Sequence, residues 1–316
     1  MGTDSKRRSV WCVVDPTLRI LAALLMLSLV GCSRRGALYY LHQGQVEQKV
    51  FSDTLNFDLK YDLIFFPVDV DRVGERLCFL DSGAATSVLE QSLVMDRPVY
   101  RKIRTRDARN ETRRGQLIEA PTLRVGDVEF RDLIALTQDF SNFPVEQSDF
   151  GGIVGQNVLT KAYWTVDFPK NKIYINSALP PSTANMLSLP LRAGDNGLPY
   201  VALRIGNETV EALLDLGAGA DIMLPTDHPV SKALLRDYPY KTFKIDRYTL
   251  HGQREMLRYE ILLPSVVLGD QLTLRNVYIA IEEGVDIAIG TRPFFPYQIT
   301  LDYFNQRLHV YGSTGD

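Results

Sequence analysis

The sequence predicts an all-β protein built from two related halves, and three observations carry that expectation. Short apolar runs, several alternating with period two, are bounded by Gly, Pro, Asn and Asp turn residues. Long helical periodicity is nearly absent, with one short helix expected from Asn157 to Ala162. The string Asp81-Ser82-Gly83-Ala84 recurs as Asp215-Leu216-Gly217-Ala218, each copy directly after an apolar run.

The first 31 residues read as a secretory signal. Lys6, Arg7 and Arg8 make a basic start, and Ile20 to Val30 is an apolar run of about 11 residues, too short for a bilayer span of about 20. Leu29-Val30-Gly31-Cys32 closes it. That ending resembles the lipobox of bacterial lipoproteins. The resemblance implies a lipidated Cys32 as the mature N-terminus. With Ser33 following, it implies sorting to the outer membrane, facing the periplasm. The bland alternative is an uncleaved anchor. Beyond residue 32 the chain has 31 basic and 36 acidic residues, a formal charge of −5 and an ordinary soluble surface. The dispersed charge excludes a nucleic-acid-binding face. With Cys12 removed and Cys32 lipidated, Cys78 stands alone, so no intrachain disulfide is expected. Cys78 lies in an apolar run and reads as a buried, inert thiol.

Residues 32–55 form a tether grading into a first strand. Val68-Asp69-Val70-Asp71 alternates, and Leu77 to Leu80 runs straight into Asp81. Thr122 to Val125 and Val128 to Phe130 flank Gly126-Asp127 as a hairpin. Tyr163 to Phe168 and Lys172 to Ile175 flank Pro169-Lys170-Asn171 as another. Pro180-Pro181-Ser182 and Gly194-Asp195-Asn196-Gly197 mark a linker over 179–197. That sets an N-terminal half at 56–178 and a C-terminal half at 198–316.

The order then repeats. Tyr200 to Ile205, the turn Gly206-Asn207, and Val210 to Leu214 lead to Asp215. Gly269-Asp270 matches Gly126-Asp127, and Phe304-Asn305-Gln306 matches the turn at Pro169. Ile153-Val154-Gly155 lies downstream of Asp81, and Ala288-Ile289-Gly290 downstream of Asp215, with Asp-to-Gly separations of 74 and 75 residues. The repeat is about 135 residues long. It is not perfect: Gly126 follows Asp81 by 45 residues, but Gly269 follows Asp215 by 54. Pro293 and Pro296 shorten or remove any helix after Gly290.

A doubled Asp-x-Gly on two halves brings two carboxylates across a pseudo-two-fold axis. Gly83 and Gly217 let each loop turn tightly, since Gly accepts positive φ. Carboxylates about 3 Å apart cannot both ionise and hold one proton between them. A water between them meets a base and an acid, which suits peptide hydrolysis without metal or cofactor.

These strings resemble the retropepsin-type aspartic proteases. Leu80-Asp81-Ser82-Gly83-Ala84 with Gly152-Ile153-Val154-Gly155 is similar to one lobe, and Leu214-Asp215-Leu216-Gly217-Ala218 with Ile289-Gly290 to a second. The resemblance covers roughly residues 50–312. It implies two retropepsin-like β-barrel lobes in a pepsin-like arrangement, catalytic Asp81 and Asp215, and supporting loop residues Ser82, Gly83, Leu216 and Gly217. It also implies a protein or peptide substrate and flap hairpins within 105–115 and near 249–255. A monomer carrying both aspartates is expected, with a homodimer using one lobe's Asp as the alternative. Leu216 departs from the family's Thr or Ser, whose hydroxyl braces the two loops. The loss costs about 1 kcal/mol, more if Ser82 is left unpaired. A non-catalytic peptide-binding module is therefore the second function class.

Other features read as structural. Asp167 and Asp302 precede hairpin turns. Histidines 42, 228, 251 and 309 lack metal-ligand spacing. The sequons at Asn110 and Asn207 would stay bare in a bacterial lipoprotein, and the Arg-rich stretch from Arg101 to Arg114 reads as a solvated hairpin or loop.

Overall fold

The computed structural model describes residues 43–107, 111–141, 143, 149–194, 197–249 and 252–312. Cys32 and the signal segment lie outside them. The fold is all-β. Helix among the described residues is limited to Gln156–Leu159, Pro229–Asp237 and two single 3-10 turns.

A series of seven strands in the 11-stranded sheet repeats in the 8-stranded sheet. In the first half, seven strands run in the order Leu63–Val70, Gly74–Leu80, Phe150–Val154, Val88–Glu90, Ile134–Gln138, Thr112–Glu119, Val99–Arg106. In the second half the order is Pro199–Ile205, Glu208–Leu214, Ala288–Ile289, Ile222–Pro225, Leu272–Glu282, Gly252–Leu268, Lys241–Thr249. Parallel and antiparallel pairings match along both series. Each Asp-x-Gly string follows the second strand, and each downstream glycine follows the third.

A third sheet takes three strands from each half, in the order Met186–Pro190, Arg307–Tyr311, Gln298–Asp302, Tyr163–Asp167, Lys172–Asn176, Ser52–Asn56. At its centre Thr165 faces Thr300, with hydroxyls 2.6 Å apart. Those residues are one repeat length apart, so the pseudo-two-fold axis passes through this pair. Trp164, Val166, Ile299 and Leu301 beside it are fully buried.

Two elements differ from the sequence expectation. The stretch 179–197 is not a plain linker, since Met186–Pro190 pairs with Arg307–Tyr311. Its turn-rich flanks hide the short alternation that buries Leu189. It is the second copy of the strand Ser52–Asn56, which pairs with Lys172–Asn176 in the same way. The helix Pro229–Asp237 was not expected either. Its nine residues fill the longer second-half excursion. Pro229 stands in the first turn, where its missing N–H costs nothing, and the His228 ring accepts from the Val230 N–H. The expected short helix is present at Gln156–Leu159, and the Pro-rich segment after Gly290 keeps only a 3-10 turn, Arg292–Phe294.

Cys78 is fully buried, and burial pushes its thiol up to about 12. Asp167 accepts from the Lys170 N–H and Nζ, and Asp302 from the Asn305 N–H and Nδ2, so each carboxylate fastens its own hairpin turn. His309 is buried against Asp302 at 3.2 Å.

Candidate functional site

The two Asp strings meet at the axis. The Asp81 N–H donates to Val154 O at 3.0 Å, and the Asp215 N–H to Ile289 O at 2.9 Å. The sheet therefore ends at each aspartate, and the chain turns immediately after it. Within each loop the glycine N–H donates to its own aspartate, Gly83 to Asp81 Oδ1 at 2.8 Å and Gly217 to Asp215 Oδ1 at 3.0 Å.

The glycines are needed for space rather than for backbone freedom. Neither Gly83 nor Gly217 has positive φ, contrary to the expectation from sequence. A Cβ on Gly83 would stand 2.6 Å from Asp215 Cγ, and one on Gly217 would overlap the Asp81 carboxylate. Each carboxylate occupies the room left by the opposite glycine. The two carboxyls share a hydrogen bond.

Ser82, fully buried, braces the pair from the first loop. Its hydroxyl donates to Leu214 O at 2.6 Å and accepts from the Leu216 N–H at 2.9 Å. Ser82 is thus fully paired although Leu216 offers no hydroxyl. Leu216 is itself fully buried and packs into the main core. Both loop carbonyls are held from behind. Gln156 Nε2 donates to Ser82 O at 2.8 Å and to the Tyr303 hydroxyl at 3.1 Å. Thr291 Oγ1 donates to Leu216 O at 2.9 Å. Gln156, Thr291 and Tyr303 were missed from sequence. A signal existed for the first two, because each directly follows its half's repeated glycine.

Burial raises Asp81 well above the ordinary carboxylate range, and the neighbouring Asp215 charge raises it further. Burial raises Asp215 as well, but the bond from Asp81 and the Arg247 guanidinium pull it back. The pair titrates as a unit. Both carboxyls are raised, so the pair keeps one proton between them above the ordinary carboxylate range.

The dyad opens into a cavity of about 730 Å³. Phe79, Val88, Phe140, Phe143 and Ile153 line it from the first half. Leu213, Met223, Arg247 and Arg258 line it from the second. Two hairpins border it. Val99–Arg106 pairs with Thr112–Glu119, and Lys241–Thr249 with Gly252–Leu268. These stand where the flap positions were expected; the tips at 108–110 and 250–251 lie outside the described residues. Arg106 on the first hairpin reaches Asp286 of the second half at 3.2 Å. Among the described residues, no group of His, Cys, Asp and Glu is arranged to hold a metal.

No family model matches the chain, and no curated protein is found to be similar to it.

Proposed function

We propose that this chain is an aspartic endopeptidase in which two retropepsin-like lobes, carried by one polypeptide, place Asp81 and Asp215 about a single water. The observation that carries this reading is the crossed packing of the two carboxylates into each other's glycine positions. Asp215, ionised and facing Arg247, takes a proton from the water. The resulting hydroxide attacks the peptide carbonyl. Asp81 donates its proton to the carbonyl oxygen as negative charge develops there. The gem-diol collapses as the proton on Asp215 passes to the leaving amine, and Asp81 recovers its own proton from the diol hydroxyl. The hairpins would close over an extended peptide. Asp81→Asn and Asp215→Asn should each abolish cleavage of a denatured protein substrate while far-UV circular dichroism is retained. Full activity in either variant would sink the assignment.

One observation favours a second reading, a peptide-binding module without catalysis. Leu216 leaves the loop brace one-sided, with only Ser82 reaching across. Under that reading the wild-type chain binds extended peptides and cleaves none. The lipobox-like ending at Cys32 supports a lipid-anchored protein of the bacterial envelope, checked by mass spectrometry of the mature N-terminus.

A further inference from the structure

The two walls of the cleft differ in chemistry. The first-half wall is aromatic, with Phe79 and Phe143 stacked at 5.9 Å and Phe140 and Phe150 packed beside them. At equivalent places the second half has smaller residues, Leu213 for Phe79 and Ala288 for Ile153. Two guanidinium groups border the room this leaves.

Arg247 and Arg258 both close on Glu282, whose side chain is fully buried. Arg247 Nε lies 2.8 Å from Oε2, and Arg258 Nε 2.7 Å from Oε1. Glu282 balances one guanidinium and the dyad's Asp215 bears on Arg247, so the guanidinium without a carboxylate of its own is that of Arg258. The remaining acids along the cleft are engaged or screened. Asp286 pairs with Arg106. Asp107 accepts from the Glu111 N–H within its own hairpin. Asp246 is exposed to water. A purely structural tie between Glu282 and the hairpin would need one arginine. The second is surplus to that role, and both side chains line the cavity with 13% and 24% of their area exposed.

Each guanidinium has five donors in a planar fork. Arg258 uses Nε on Glu282, and its terminal nitrogens have no hydrogen-bond partner among the described residues. Such a fork suits a carboxylate taken bidentately.

We propose that Arg247 and Arg258 form a specificity subsite that takes an acidic side chain of the bound peptide, on the second-half side of the scissile bond. The inference rests on the endopeptidase reading of the same cleft. A glutamine in place of that acid keeps the shape and loses the charge-assisted bonds, which is worth about tenfold in selectivity.

The test compares paired octapeptides, Glu against Gln at each position in turn, by kcat/KM. One position should prefer Glu about tenfold. Arg258→Gln should bring that ratio close to one. Arg258→Lys keeps the charge Glu282 needs and loses the fork, and should give an intermediate ratio. Glu282→Gln releases both guanidinium groups and should raise the ratio above wild type. The same peptides, with a hydroxyethylene group in place of the scissile amide, are titrated into the wild-type chain by calorimetry. Cleavage with equal ratios at every position overturns the subsite and leaves the endopeptidase. Tighter binding of the Glu ligand with no cleavage of any peptide overturns the endopeptidase and leaves the subsite. Neither cleavage nor binding overturns both.

Discussion

Ser82 holds two backbone groups of the opposite loop with one hydroxyl, and nothing in the second loop returns the favour. Ser82→Ala would leave a buried carbonyl at Leu214 and a buried N–H at Leu216 without partners. The expected loss is about 2–4 kcal/mol, read from urea unfolding, since each orphaned group costs its own desolvation. Leu216 contributes differently, as a fully buried apolar plug. Leu216→Ala should cost about 2–5 kcal/mol, the range for emptying a core leucine site. The dyad adds a dependence on pH whose sign follows from the raised carboxyls. A carboxyl raised in the folded state stabilises the fold below its unfolded-state value, and that contribution is lost as pH rises through the folded-state value. Asp81→Asn removes the carboxyl that burial and Asp215 raise, so its stability relative to wild type should grow from acid to neutral pH, followed by urea midpoints across that range. Activity should fall on the alkaline side as the shared proton leaves, at a pH above the ordinary carboxylate range. An alkaline limb within that ordinary range would show that the pair does not share its proton.

The hairpins bordering the cleft are fastened unequally. The second is tied through buried Glu282, whereas the first reaches the second half through the exposed pair Arg106–Asp286. Exposed pairs contribute about 0–1 kcal/mol. Asp286→Asn should therefore leave global unfolding nearly unchanged. It should speed amide hydrogen exchange within Thr112–Glu119, and high salt should produce the same acceleration in wild type. Both hairpins were expected in position from the resemblance, which put them within 105–115 and near 249–255. The ties were not, because Arg106 and Asp286 are far apart in sequence and no local pattern links them. The helix Pro229–Asp237 was hidden for a different reason. It is barely longer than two turns, and Pro229 in its first turn reads as a breaker unless the cap at His228 is recognised. The strand Met186–Pro190 was masked by the turn chemistry around it, although the repeat length applied to Ser52–Asn56 points straight at it.

Equal spacings made the two halves visible, and with them the meeting of Asp81 and Asp215. What spacing could not show is how much of the second-half structure depends on the first. The central sheet joins three strands from each half across the pair Thr165 and Thr300, and such pairing between residues 135 apart leaves no local trace in sequence. One continuous core packs residues of both halves, from Phe57 and Trp164 to Leu301 and Val310. A chain divided at the 179–197 segment would expose Trp164, Val166, Ile299 and Leu301, which are fully buried in the whole molecule. It would also leave Tyr163–Asp167 and Gln298–Asp302 as open sheet edges, which template aggregation. Fragments 43–178 and 179–312 expressed separately should therefore fail to give a cooperative melt. The undivided chain should unfold in a single calorimetric transition whose calorimetric and van't Hoff enthalpies agree. Two resolved transitions, or a separately folded half, would show that the central sheet is a junction between independent domains rather than part of a common core.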